Sequence, residues 1–166
     1  MTYEPGQYRL GSSSLERLST CHPLWQVIIE RAIAISPMDF TVACGFRNKA
    51  DQNEAYALAR STKRFPDSLH NHLSDQEDVA EAHADGVGEP FSLAIDVVPY
   101  LDGRARWDLL YELRWLNGFI MGVGMPIAQA AGFYIRTGVD WDMDGSQAEH
   151  HFIDAPHLEL RRLQGE

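Results

Sequence analysis

The stretch Leu93-Ala94-Ile95-Asp96-Val97-Val98-Pro99 decides how this chain is read. Aliphatic and β-branched residues closed by a proline predict a buried strand. A carboxylate in the middle of such a run is out of place, because a charge is rarely buried unless it is paired or bound to a metal. Asp96 asks for a cation. Upstream, Phe40-Thr41-Val42-Ala43-Cys44 ends at Gly45 and predicts a second strand. Downstream, His151–Ile153 and Leu158–Leu160 flank Pro156 and predict a final, bulged strand. Apolar residues at helical spacing (Leu18, Leu24, Val27, Ile28, Ala32, Ile35) predict a helix over 14–36, interrupted at Cys21-His22-Pro23. A second helix is expected over Asp51–Arg60, starting at Lys49 or Asp51. A third follows Leu110, Leu113, Leu116, Phe119 and Ile120 through Trp107–Val123. The run Gly122-Val123-Gly124-Met125-Pro126 is expected to loosen it before a short helix over Ile127–Gly132. Helices mixed with a few strands, without regular βαβ alternation, predict an α+β fold with a small antiparallel sheet.

The chain has 166 residues, 45% of them hydrophobic, which suits one compact domain over 1–166. No run approaches the roughly 20 apolar residues that cross a bilayer, so membrane insertion is not expected. Met1–Leu10 lacks a basic segment followed by an apolar one, so the chain is expected to fold in the cytoplasm. The formal net charge of −10 and the absence of any basic cluster beyond Arg161-Arg162 disfavour a nucleic-acid partner. Cys21 and Cys44 form no C-x-x-C pattern, and Cys44, inside an apolar run, reads as a small buried hydrophobe. Asn71–Pro90 carries Asp75, Glu77, Asp78, Glu81, Asp85 and Glu89, and reads as an inserted acidic loop with a short helix around Gln76–His83. It is either a lid beside a cleft or a tolerated surface insertion.

Three patches stand out when read together: Cys44-Gly45-Phe46-Arg47 with Gln52; Ser68-Leu69-His70-Asn71 with Ser92-Leu93-Ala94-Ile95-Asp96; and Asp154-Ala155-Pro156-His157-Leu158-Glu159. Each alone is weak. In this order they resemble the D-alanyl-D-alanine carboxypeptidase and L-alanyl-D-glutamate endopeptidase family, which includes VanY-type enzymes and phage peptidase endolysins. The resemblance covers nearly the whole chain and implies a Hedgehog/DD-peptidase-like fold. It implies that His70, Asp96 and His157 hold one Zn²⁺ per chain, that Asp154 is the general base, and that Arg47 lies near the substrate carbonyl. Two imidazoles and one carboxylate leave a tetrahedral zinc one open position, as catalytic sites do.

His72, His150 and His151 are the rival ligands. Gln52, Ser68 and Trp141 are candidate substrate contacts, with bracing the site as the alternative for the first two and packing for the third. Asp140, Asp142, Asp144 and Gly145 resemble the start of a calcium loop, although position twelve is His151 rather than Glu. A plain aspartate-capped turn is the reading there, with a second cofactor, Ca²⁺, as the alternative. Residues three apart in a strand face opposite ways, so a bulge at Pro156 is needed to bring Asp154 and His157 to one centre.

The function implied is that of a phage-type endopeptidase cutting the peptidoglycan stem peptide. It would wait in the host cytoplasm as a monomer until a separate membrane-permeabilising protein gives it access to the wall. A D-alanyl-D-alanine carboxypeptidase or dipeptidase and a non-catalytic, zinc-stabilised binding module are the alternatives.

Overall fold

The computed structural model describes residues 4–74, 88–146 and 152–163. The elements are α1 (Ser12–Leu18), α2 (Pro23–Ile35), β1 (Phe40–Cys44), α3 (Lys49–Ala57), β2 (Ala94–Leu101), β3 (Arg104–Ala105), α4 (Leu110–Ala130), β4 (Phe133–Thr137) and β5 (His157–Arg162), with a 3₁₀ turn at Leu69–Asn71. The strands form one antiparallel sheet in the order β1-β2-β5-β4, and β3 hairpins onto β2. This is the expected α+β architecture.

Cross-strand register sorts the sheet into two chemically different faces. Val42 pairs with Val97, Ile95 with Leu158, and Ile135 with Leu160. These residues form the main core together with Trp25, Ile28, Ile29 and Ala32 of α2 and Leu116 and Ile120 of α4. Because side chains alternate along a strand, the residues between them point the other way. Cys44, Asp96 and His157 fall in one row across β1, β2 and β5, and Arg136 pairs with Glu159 beside it. The apolar face holds the fold together, and the polar row carries the chemistry.

The break between α1 and α2 falls where Pro23 occupies the first turn of α2 and the His22 Nδ1 accepts from Leu24 N at 3.1 Å. The expected break in α4 does not occur. The helix runs 21 residues through Gly122, Gly124 and Pro126 because its buried face continues to Ala128. Pro126 gives up one helical N–H, which costs less than exposing that face. A Cβ at Gly124 would lie 2.7 Å from both Ile135 Cδ1 and Ile28 Cγ2, so this glycine serves close packing rather than a break.

Two strands differ from expectation. β4, with Phe133, Ile135 and Thr137 turned inward, lies where no strand was predicted. β5 begins only at His157, because Asp154-Ala155-Pro156 is a turn closed by His157 N donating to Asp154 O at 3.0 Å. The bulge lies in β1 instead, between Val42 and Cys44. β2 continues past Pro99, whose carbonyl accepts from Arg106 N at 2.9 Å. Of the acidic insertion, 75–87 and the expected helix there lie outside the described residues. Its two ends are zipped together, with Leu73 bridging Pro90 and Ser74 N donating to Glu89 O at 3.0 Å.

Asn117, fully buried on α4, donates Nδ2 to Ala155 O at 3.2 Å and to His157 O at 2.9 Å, pinning the turn that starts β5. Replacing it as Asn117→Leu keeps the branched shape, though at a larger volume, and removes the donor of both hydrogen bonds. Urea unfolding should show a loss of about 1–3 kcal/mol, as for buried acceptors deprived of partners. A change below about 0.5 kcal/mol, the range of neutral surface substitutions, would mean the turn is held by other contacts.

Candidate active site

Three separate elements deliver three side chains to one point. Asp96 comes from β2, His157 from its cross-strand partner position in β5, and His70 from the 3₁₀ turn. Ser68 caps that turn, its Oγ accepting from His70 N at 3.3 Å. Arg47 N donates to His70 O at 2.8 Å, and Asn71 Nδ2 donates to Arg47 O at 2.6 Å, so the turn is tied to the segment after β1. All three side chains belong to buried residues. His157 Nδ1 lies 3.1 Å from Asp96 Oδ1 and 3.3 Å from His70 Nε2, and His70 Nε2 lies 3.3 Å from Asp96 Oδ1.

The outer contacts of the two imidazoles determine what those facing atoms are. His70 Nδ1 lies 2.7 Å from Gly45 O, a carbonyl that can only accept, so Nδ1 carries the proton in the neutral ring and Nε2 a lone pair. His157 Nε2 lies 3.2 Å from Glu159 Oε2, which by the same reasoning leaves Nδ1 bare. Three electron-pair donors then converge on one point. Only a cation or added protons relieve that arrangement. A tetrahedral ion with ligands at about 2.0–2.1 Å needs its donor atoms roughly 3.3–3.4 Å apart. The observed spacing and the N, N, O donor set fit zinc.

Protonation is the competing solution in the metal-free chain. Burial opposes charge on both rings, yet Asp96 and Cys44 push His70 up to about 10, and hydrogen bonds to Asp96 and Glu159 raise His157 to about 9. Asp96 is held well below the carboxylate range: burial works against it, and the two histidines outweigh burial.

Asp154 sits in the turn before β5, half-buried. Burial raises its carboxyl above the ordinary value, and Asp96 adds to that against the opposing charge of His157. A raised carboxyl at the edge of a cationic cluster is the character a general base needs. Gly138 makes this geometry fit, since a Cβ there would lie 2.3 Å from Asp154 O and 3.0 Å from His157 Cβ.

Arg47 lies against the same cluster, Nη2 3.3 Å from Asp96 Oδ2 and Nη1 donating to Gln52 Oε1 at 3.0 Å. Gln52 is fully buried, and its amide donates onward to Ser61 Oγ and Lys63 O, which places it as a brace for Arg47. Ser68 likewise braces the turn. Trp141, half-buried, has its ring 5.5 Å from that of His157 and its N–H donated to Phe152 O at 2.9 Å, so it walls the site.

Cys44 corrects the sequence reading. It is half-buried rather than a core residue, and its Sγ lies with donor atoms of His70 and Asp96 inside a 4.8 Å group. Burial raises its thiol, but His70 outweighs burial and brings it below the ordinary value. Its place as the last residue of β1, just before Gly45-Phe46-Arg47, was the signal available. Sequence reasoning also missed Arg136 and Arg161, which reach Glu159 from neighbouring positions on the polar face. Of the rival histidines, His72 is buried beside Phe91, and His150 and His151 lie outside the described residues. The carboxylates of Asp140, Asp142 and Asp144 gather within 4.8 Å at an exposed turn, where Gly145 N donates to Asp140 Oδ2 and Ser146 N to Asp144 Oδ1.

Residues 6–161 match the family model described as phage L-alanyl-D-glutamate peptidase. The chain belongs to that family. It is 28% identical over 159 residues to the L-alanyl-D-glutamate peptidase of Escherichia phage T5, covering 92% of this chain and 98% of the relative. In fold it is similar to the crystal structure of the Serratia marcescens L-Ala D-Glu endopeptidase ChiX, with a TM-score of 0.58 and 22% identity over 93% of this chain and 92% of that one. The shared fold agrees with the α+β architecture read from this phage peptidase family member.

The raised histidines give a pH signature. In the metal-free chain, His70 and His157 hold protons more tightly than the ordinary 6.5 of an unfolded histidine. Their contribution to stability is complete below about pH 6.5 and is lost as the pH rises through 9 to 10. Zinc held by these two rings would take the place of those protons, and its stabilising effect would then grow over the same interval. Thermal unfolding with and without zinc from pH 6 to 10 tests both slopes. Parallel curves would mean that protons and metal do not compete here.

Proposed function

We propose that the chain is a zinc-dependent L-alanyl-D-glutamate endopeptidase that cleaves the stem peptide of bacterial peptidoglycan. The observation that carries this reading is the convergence of His70 Nε2, His157 Nδ1 and Asp96 Oδ1 at 3.1–3.3 Å, with all three residues acting electrostatically on the Asp154 carboxyl. His70, Asp96 and His157 would hold the metal, and the described residues would work as parts of one catalytic domain. Zinc, when bound, supplies Lewis-acid chemistry that makes water a nucleophile near neutral pH.

The chain's own groups carry the rest. The Asp154 carboxylate takes the proton of the attacking water and delivers it to the nitrogen of the leaving amine. Arg47 is always cationic and has more N–H donors than Gln52 and Asp96 use. It offers them to the oxygen that gains charge on the attacked carbonyl. Gln52 and Ser68 keep Arg47 and His70 in place, and Trp141 gives the substrate an aromatic wall. No described helix is long and apolar enough to cross a membrane. This fits an enzyme that waits in the host cytoplasm as a monomer until a separate membrane-permeabilising protein admits it to the wall.

Digestion of purified wall, followed by mass spectrometry of new termini, tests the activity. A new D-glutamyl N-terminus is expected, with about one zinc per chain and activity lost to a chelator. Asp154→Ala should lower kcat by about 10²–10⁴-fold with zinc retained. Release of free D-alanine would point to a carboxypeptidase instead, and undiminished lysis by the Asp154 variant would point to a binding module.

Calcium at the Asp140–Asp144 turn is a subsidiary reading, carried by the three gathered carboxylates. It predicts a calcium-dependent rise in Tm that Asp144→Asn abolishes. An unchanged Tm across millimolar calcium would leave the turn as an aspartate-capped loop.

A further inference from the structure

Glu159 is buried, yet it faces three partners that can all donate to it. Arg136, directly opposite on β4, donates Nε to Oε1 at 2.5 Å and brings Nη2 to the same oxygen. Arg161, two residues along β5 on the same face, donates Nε to Oε1 at 2.8 Å. Both arginines therefore occupy one carboxylate oxygen. The other, Oε2, faces His157 Nε2 at 3.2 Å. Arg136 is itself held, its guanidinium 5.4 Å from the centroid of the Trp141 ring. Nothing in the peptide chemistry requires this asymmetry.

We propose that Arg136 and Arg161 are positioning residues: by gripping Oε1 of Glu159 together they hold the carboxylate where Oε2 accepts from His157 Nε2–H, and so keep the ring in the pose and tautomer that present Nδ1 to a metal. The inference rests on the reading of His157 as a metal ligand. Outer partners of this kind orient an imidazole and select its tautomer. Here the selection comes through two steps, arginine to carboxylate and carboxylate to ring. A guanidinium suits the first step because its fork is planar and cannot accept a hydrogen bond.

The test uses the isosteric change Glu159→Gln. With both arginines present, the amide oxygen of E159Q must accept from them, which turns its NH₂ toward His157. The ring must then accept at Nε2 and carry its proton on Nδ1, the atom that faces the metal. Zinc affinity, measured by competition with a chromophoric chelator, should fall about 10–100-fold. Removing the arginines in that background, as R136M/R161M/E159Q, frees the amide to turn its oxygen to His157 and should recover part of the loss. The same two arginine changes in the otherwise unaltered chain should weaken zinc.

Opposite signs in the two backgrounds are the result expected, since a merely structural role weakens both. Wild-type affinity in E159Q, or the same sign in both backgrounds, overturns the proposal. Should a variant fail to fold, the ring-nitrogen NMR of His157 in the zinc-loaded unsubstituted chain decides: a proton on Nε2 supports it and one on Nδ1 overturns it. A chain that takes up no zinc would sink the metal reading instead, and the spectrum of the metal-free protein above about pH 10, where the ring is neutral, would still report the tautomer.

Discussion

Three atoms with lone pairs, one each from His70, Asp96 and His157, face one another at 3.1–3.3 Å inside the protein. Their mutual repulsion is the constraint around which the polar half of the molecule is arranged. In a medium of low dielectric such an arrangement persists only if something positive occupies it and something outside holds each donor in place. The outer holders are all visible. Gly45 O accepts from the far nitrogen of His70, Glu159 accepts from that of His157, and Arg47 reaches the second oxygen of Asp96.

The apolar half supplies the rigidity. Ile95 and Val97 alternate with Asp96 along β2, so the strand that presents the carboxylate is anchored by its neighbours in the core formed with α2 and α4. The same alternation in β5 anchors His157 and Glu159 through Leu158 and Leu160. A one-residue slip in the β2–β5 register would turn His157 into the core and Leu158 toward Asp96, which the buried face forbids. Packing thus enforces the pairing on which the site depends. Close approaches complete it: Gly138 lets the β4 end pass Asp154, and Gly45 lies where a Cβ would sit 2.4 Å from Arg17 O.

Some of this was legible in the residues. Asp96 stood out because a carboxylate within an aliphatic strand is a local contradiction. α2 and β1 followed from periodicity and from Pro23 and Gly45. Elsewhere local signals misled. Gly122, Gly124 and Pro126 look like a helix break, but the apolar face they belong to is long enough to carry α4 through. β4 went unseen because Phe133–Thr137 is short and follows a glycine, and its strand character comes from pairing with β5. Cys44 read as core because its sequence neighbours are apolar, whereas the β1 bulge turns it toward Asp96. The strand expected before Pro156 is a turn, closed by His157 N donating to Asp154 O, and β5 carries no bulge.

The sequence by itself determined the α+β class, the apolar strand faces, the family resemblance and the residues eligible to bind a metal, because these follow from periodicity and residue type along the chain. Only the tertiary structure decided which atoms of those residues face one another. The bare nitrogen of an imidazole depends on its partner at the other nitrogen. For His70 that partner is a carbonyl 25 residues away, and for His157 it is a carboxylate held by arginines from two strands. Through-space hydrogen bonding sets such choices, and no spacing in the sequence encodes them.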